Sequence, residues 1–267
     1  MAERLGARAA SGLVLGAAAI AATYWGGWVF VVLAAAVGVL LANEWDRLCG
    51  GSGFGPQALI HAAVIAATAL CVGAGWVGTA ATVIVVGALL SAAAAAFARR
   101  GVAWAVGGLL YTCVPVLALV WLRLDDEGGR LAVLGLFAVV WSTDTGAYFV
   151  GRAVGGPKLA PTISPGKTWS GSFGGIAAAA LAGLAVALTT GAQAPWAWVA
   201  ASIVFSIVGQ AGDLAKSKVK RHFHVKDSGH LIPGHGGVLD RLDSTLATAP
   251  LAAALLVAAA RWGIQWQ

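Results

Sequence analysis

Nine apolar runs divide this chain, each close to the length of a bilayer crossing. They cover roughly residues 9–24, 27–43, 57–75, 78–98, 102–122, 130–150, 171–190, 195–214 and 244–262. A helical crossing needs about 20 such residues. The runs are long and rich in alanine rather than alternating, which argues for helices and against an outer-membrane barrel. Gly26-Gly27 splits the first hairpin, and Gly50-Gly51-Ser52-Gly53 marks a loop. The pattern predicts an all-α, polytopic integral membrane protein of about nine transmembrane helices. Residues 1–267 form a single membrane domain, with N-terminal helices over roughly 1–125 and catalytic helices and inner loops over roughly 130–262. No internal repeat stands out, so an inverted-repeat transporter gains no support.

Composition agrees with that reading. The 267 residues are 59% hydrophobic and only 10% charged, where a soluble domain carries roughly 25%. The net charge of +6 does not call for nucleic acid, because basic residues gather in the cytoplasmic loops of membrane proteins. With nine spans and the N-terminus inside, 14 of the 17 basic residues fall on one side; only Arg123, Arg130 and Arg261 fall on the other. That bias predicts a multi-pass protein of the inner (plasma) membrane, N-terminus inside, with both polar loops facing the cytoplasm. Cys49, Cys71 and Cys113 lack C-x-x-C spacing and read as packing thiols.

Those two inner loops carry the chemistry. Between Asp213 and Asp243 stand ten charged residues and four of the five histidines, beside membrane spans where charge is costly. Glycines there let backbone N–H groups approach phosphate oxygens. Asp213 and Asp240 stand at the two ends of the loop. A helical hairpin bringing them together would suit Mg²⁺, which needs only one or two carboxylates plus phosphates and water; helix capping and hairpin closure are the alternative roles. Asp227 and Asp243 divide between capping or pairing with Lys226 or Arg241 and a place in the site. Lys216, Lys218, Lys220 and Arg221 could fix topology and touch anionic lipid, yet beside aspartates and glycines they suit a triphosphate. Asp144 lies inside the sixth run, where an idle carboxylate is disfavoured. His235, in Gly-His-Gly-Gly, is the histidine best placed for substrate; the histidine spacing fits no common zinc set.

Three partial motifs fail on context. Gly166-Lys167-Thr168 ends like a phosphate-binding loop, but Pro161 stands where that motif needs glycine. Asp144-Thr145-Gly146 lacks the strands of an aspartic protease. Gly212-Asp213 follows Gln210 rather than glycine, and no Tyr-Asp partner exists for intramembrane proteolysis.

The stretch Ser217-x-x-Lys220-Arg221-x4-Lys226-Asp227-x-Gly229-x3-Pro233-x-His235-Gly236-Gly237-x2-Asp240-Arg241-x-Asp243 resembles the signature of the phosphatidate cytidylyltransferase (CDP-diacylglycerol synthase) family. The first loop, Asp144-Thr-Gly-Ala-Tyr with Ser164-Pro-Gly-Lys167-Thr168-Trp169, resembles another block of that family. In the N-terminal half only the hydropathy and Asn43-Glu44-Trp45 match. The resemblance implies transfer of CMP from CTP to phosphatidate with Mg²⁺ as cofactor. Its partners are then CTP, phosphatidate and membrane lipid; a homodimer stays open. Asp213 and Asp240 would hold one or two Mg²⁺ ions. Lys220, Arg221, Lys226 and Arg241 would hold phosphates. Substrate contacts would come from Asp144, Ser164, Lys167, Thr168, Ser217, Asp227, His235, Gly236, Gly237 and Asp243. The chain departs from the family where Lys216 stands for a common Glu and Ser170 for Glu or Gln. The competing readings are a CTP-dependent lipid-alcohol kinase and an ion-coupled transporter using Asp144 and Asp213.

Overall fold

The structure, a computed structural model, describes residues 2–124, 128–229 and 236–261, with side chains from residue 12 onward. Each apolar run has become a helix: α1 (Ala2–Trp25), α2 (Gly27–Leu48), α3 (Pro56–Gly73), α4 (Val77–Phe97), α5 (Val102–Leu122), α6 (Gly128–Val154), α7 (Trp169–Thr190), α8 (Pro195–His222) and α9 (Leu239–Arg261). Eight of these are long and apolar enough to cross a membrane; in α1 the apolar stretch among the described residues, Gly12–Trp25, is shorter. A short antiparallel hairpin, β1 (Lys158–Ala160) and β2 (Ser164–Thr168), folds the loop between α6 and α7. The chain is thus an all-α polytopic membrane protein, as the hydropathy predicts.

Several helices outrun their apolar segments. Helix α2 continues through Asn43, Glu44, Trp45 and Asp46, all buried. Helix α8 carries its basic run on the last two turns, where cations complement the helix C-terminus; Lys218 and Arg221 are exposed, while Lys216 is buried.

The chain forms two units. One comprises Met1–Arg130 with His222–Leu242, the other Leu131–Arg221 with Asp243–Gln267. In the first, α2, α3 and α5 pack on one another, and α4 packs on α3 and α5. Small residues allow this closeness, since lipid supplies no hydrophobic drive between helices. At Gly108 the Trp45 indole fills the space a Cβ would take, and its Nε1 donates to the Trp104 carbonyl at 3.0 Å. Polar side chains inside the bundle pair with each other: Gln57, His61 and Ser91 lie within 2.6–3.0 Å. The loop after α2 folds onto Asp46, which accepts from Arg100 Nη1 at 3.0 Å and Gly53 N at 3.1 Å. Burial first, then the Asp46 carboxylate, push the Cys49 thiol up to about 12, so it stays protonated at neutral pH.

In the second unit α6 and α7 meet through glycines. Gly171 lies against Gly151 and the Ala147 carbonyl, and Gly175 against the Thr143 carbonyl. Gly183 abuts Ser202, and Gly212 abuts Ala247, so α8 closes on α7 and α9 in the same way. The Thr168 hydroxyl caps α7 by accepting from Gly171 N at 3.1 Å.

Gly108→Ala should lower stability by about 1–3 kcal/mol through overpacking, read as a lower unfolding temperature in detergent. An unchanged midpoint would contradict the close packing of Trp45 on Gly108.

Candidate active site

In the second unit, four charges from three elements converge. Lys167 comes from β2, Asp213 and Lys216 from α8, and Asp243 from the first turns of α9. Lys167 Nζ pairs with Asp213 Oδ2, and Lys216 Nζ pairs with Asp243 Oδ2. Lys216 Nζ also stands 3.9 Å from Asp213 Oδ1. The two carboxyl groups lie within hydrogen-bond reach of one another. Asp243 Oδ1 additionally accepts from Ser244 N at 2.7 Å. The small residues in the second unit make this possible: Gly212, beside Asp213, touches Ala247 and the Asp243 carbonyl, so any larger residue would push α8 from α9.

Two carboxylates this close need a cation or a proton between them. Among the described residues no group of three or more His, Cys, Asp or Glu gathers. A pair of carboxylates open to further ligands does fit Mg²⁺, whose remaining positions go to phosphate and water. Lys167, with 29% of its side chain exposed, reaches the pair from the hairpin. The hairpin itself is tied to α8, because Arg221 Nε donates to the Ile163 carbonyl at 3.3 Å.

In the first unit the glycine-rich segment before α9 is organised by a residue from the opposite end of the chain. Glu44, only 1% exposed, accepts from Val238 N and Leu239 N, both at 2.8 Å. These are N–H groups that the start of a helix leaves without intrahelical partners, and a carboxylate there also meets the positive end of the helix dipole. Ser228 N and Oγ each donate to Asp240 Oδ2 at 2.9 Å, and Gly237 N does so at 3.4 Å. Ser228 Oγ also faces Glu44 Oε2 at 3.3 Å. The glycines now have reasons: a Cβ on Gly229 or Gly237 would run into the Glu44 carboxylate, and Gly236 turns at φ +80° beside Asp240. His222 stacks on Trp104 at 5.0 Å between ring centres, and Phe223 meets Trp104 edge-on at 5.0 Å, anchoring the segment to α5.

The structure therefore sorts the expected site residues. Lys167, Asp213 and Asp243 come together in one unit. Asp240, Gly236 and Gly237 come together in the other, around Ser228 and Glu44. Asp213's carboxyl neighbour is Asp243, while Asp240 commits Oδ2 to Ser228 and Gly237. Thr168 is engaged as a helix cap, and Ser164 begins β2. Ser217 and Lys220 lie on α8; Lys226, Asp227 and Arg241 are exposed, as is Asp144 on α6. His235 falls outside the described residues. Glu44 is the participant that sequence reasoning did not place; Lys216 stands in the expected basic run, but its pairing with Asp243 and Asp213 was not expected. For Glu44 the available signal was a carboxylate at the C-terminal end of an apolar run.

A family model described as the cytidylyltransferase family matches residues 6–259. The chain belongs to the cytidylyltransferase family. A phosphatidate cytidylyltransferase of Brucella suis biovar 1 (strain 1330) is 41% identical over 252 residues, covering 93% of this chain and 92% of that protein. One of Staphylococcus epidermidis (strain ATCC 12228) is 43% identical over 164 residues, 61% of this chain and 59% of its own length. One of Bacillus subtilis (strain 168) is 45% identical over 130 residues, 48% of each. Membership covers nearly the whole chain, so the N-terminal helices that supply Glu44 belong to the family match as much as the polar loops do.

Glu44→Gln puts an N–H₂ where a carboxylate oxygen now accepts a backbone N–H. Leaving a buried donor unsatisfied costs about 1–3 kcal/mol. The variant should show faster tryptic cleavage after Lys226 in the folded, detergent-solubilised protein. Cleavage at the wild-type rate would show that Glu44 does not hold the segment.

Proposed function

We propose that this member of the family transfers CMP from CTP to phosphatidate, forming CDP-diacylglycerol and releasing pyrophosphate. The observation that carries the reading is the Asp213–Asp243 carboxyl pair flanked by the Lys167 and Lys216 ammonium groups. Its likeness over nearly full length to proteins named for this reaction supports the choice of substrates.

An oxygen of the phosphatidate phosphate attacks the α-phosphorus of CTP in line, and the bond from that phosphorus to the α,β-bridging oxygen breaks. Such transfers are catalysed chiefly by positioning and charge stabilisation. No general base is required, since a phosphate monoester is largely ionised at neutral pH. Asp213 and Asp243 would hold Mg²⁺, which supplies neutralisation of the triphosphate and the leaving pyrophosphate. Lys167 exchanges its bond to Asp213 for a phosphate oxygen when nucleotide arrives. Lys220 and Arg221, on α8 of the same unit, supply further cations for phosphates. Asp240 orients the Gly236-Gly237 turn through Ser228. The acyl chains stay in the bilayer. An apolar cavity of about 590 Å³ between α6 and α7, lined by Ala138, Trp141, Thr145, Gly146, Ala178 and Leu181, offers one of them a place. We further assign the site to the cytoplasmic face of the inner membrane, with the N-terminus inside, on the distribution of basic residues.

Sealed vesicles test chemistry and side together, because CTP does not cross a bilayer. Inverted vesicles given labelled CTP, phosphatidate and Mg²⁺ should yield CDP-diacylglycerol and pyrophosphate, and right-side-out vesicles should yield little. Equal rates would overturn the orientation. CDP with a phosphorylated lipid alcohol would replace the transferase by a kinase.

A further inference from the structure

Lys216 is the most deeply withdrawn charge of the cluster. Its side chain is 2% exposed, against 29% for Lys167, 25% for Asp213 and 10% for Asp243. It leaves α8 three residues after Asp213, so the two share a helix face. Its ammonium pairs with one carboxylate and stands 3.9 Å from the other, while those carboxyl groups reach each other directly. Removing an ammonium and a carboxylate from water costs several kcal/mol per ion, so a buried pair is weak evidence of a role in stability. A role in the site explains the burial better. Lysine offers a compact, fixed positive charge with three donors, in the space between carboxylates where a free cation would otherwise reside. Lys167 differs: it enters from the hairpin, is partly exposed and is free to exchange partners.

We propose that Lys216 is a tethered cation of the site, occupying one of the cation places offered by Asp213 and Asp243, so that this chain loads a single divalent ion. Removal of the ammonium opens a place for a second. The inference rests on the metal-dependent reading above and deepens it. Lys216 touches the two aspartates rather than the reacting atoms, so it acts as a positioning residue that sets the ion count and the field at the carboxylates. The divalent ion loads against a fixed positive charge, and the site accordingly binds it more weakly than the carboxylates alone would.

The test counts Mn²⁺ bound per purified full-length chain in detergent, by equilibrium dialysis with CTP equal on both sides and electron paramagnetic resonance detection. Wild type should bind one ion. Lys216→Gln should bind two, the first roughly tenfold more tightly for loss of the nearby like charge, and Lys216→Arg should bind one. Lys216→Ala, which asks little of the packing, gives the same count of two should the glutamine variant fail to fold; methylammonium should then displace one of its ions. Two ions on the wild type, or one on the neutral variants at saturation, overturns the proposal. No ion on the wild type removes the metal-dependent reading itself, an outcome distinct from a wrong count.

Discussion

Carboxylates withdrawn from water must be matched by donors or cations, and that requirement shapes the polar end of each unit. Glu44 meets it with backbone N–H groups at the start of α9 and with the Ser228 hydroxyl. Asp213 and Asp243 meet it with Lys167 and Lys216. In both cases the partners come from segments distant in the chain, so satisfying one buried charge positions a loop. The glycines follow from the same constraint, since Gly229 and Gly237 leave room for the Glu44 carboxylate and Gly212 lets α8 approach α9.

This arrangement has a chemical consequence. The two carboxylates and two ammonium groups balance in formal charge, so an arriving metal ion or phosphate would have to be matched by a lysine changing partners. Lys167, on a short hairpin and partly exposed, is suited to that exchange; Lys216, buried against both aspartates, is suited to remain. On the proposed function, such a cluster would take up an anionic nucleotide at the end of a membrane helix without leaving charge unpaired in its absence.

Much of the fold was legible because the bilayer imposes it. Runs near 20 residues long became helices, α3 to α7 within about four residues of their predicted ends, and the glycine-rich breaks became turns. The polar extensions of α2, α8 and α9 were not legible, because hydropathy reports where lipid ends rather than where a helix ends. The β1–β2 hairpin was hidden in a loop too short to show strand periodicity. At the site, the residue types and the two loops were readable from charge placed beside spans, but the pairing was not. Asp240 and Asp243 stand three residues apart on α9, and only tertiary packing decides that Asp243 meets Asp213 while Asp240 takes Ser228. Glu44 was invisible as a partner because its donors are backbone groups nearly 200 positions away.

If Asp213 and Asp243 jointly hold a divalent ion, the two carboxylates serve one ligand. The most direct measurement is Mn²⁺ affinity in the presence of CTP for Asp213→Asn, Asp243→Asn, their double variant and Asp240→Asn. Residues that share one ligand couple rather than add. Each of the first two substitutions should weaken binding sharply, the double variant should lose little more, and Asp240→Asn should bind nearly as the wild type does. Additive losses for Asp213 and Asp243, or a loss confined to Asp213 and Asp240, would contradict the account.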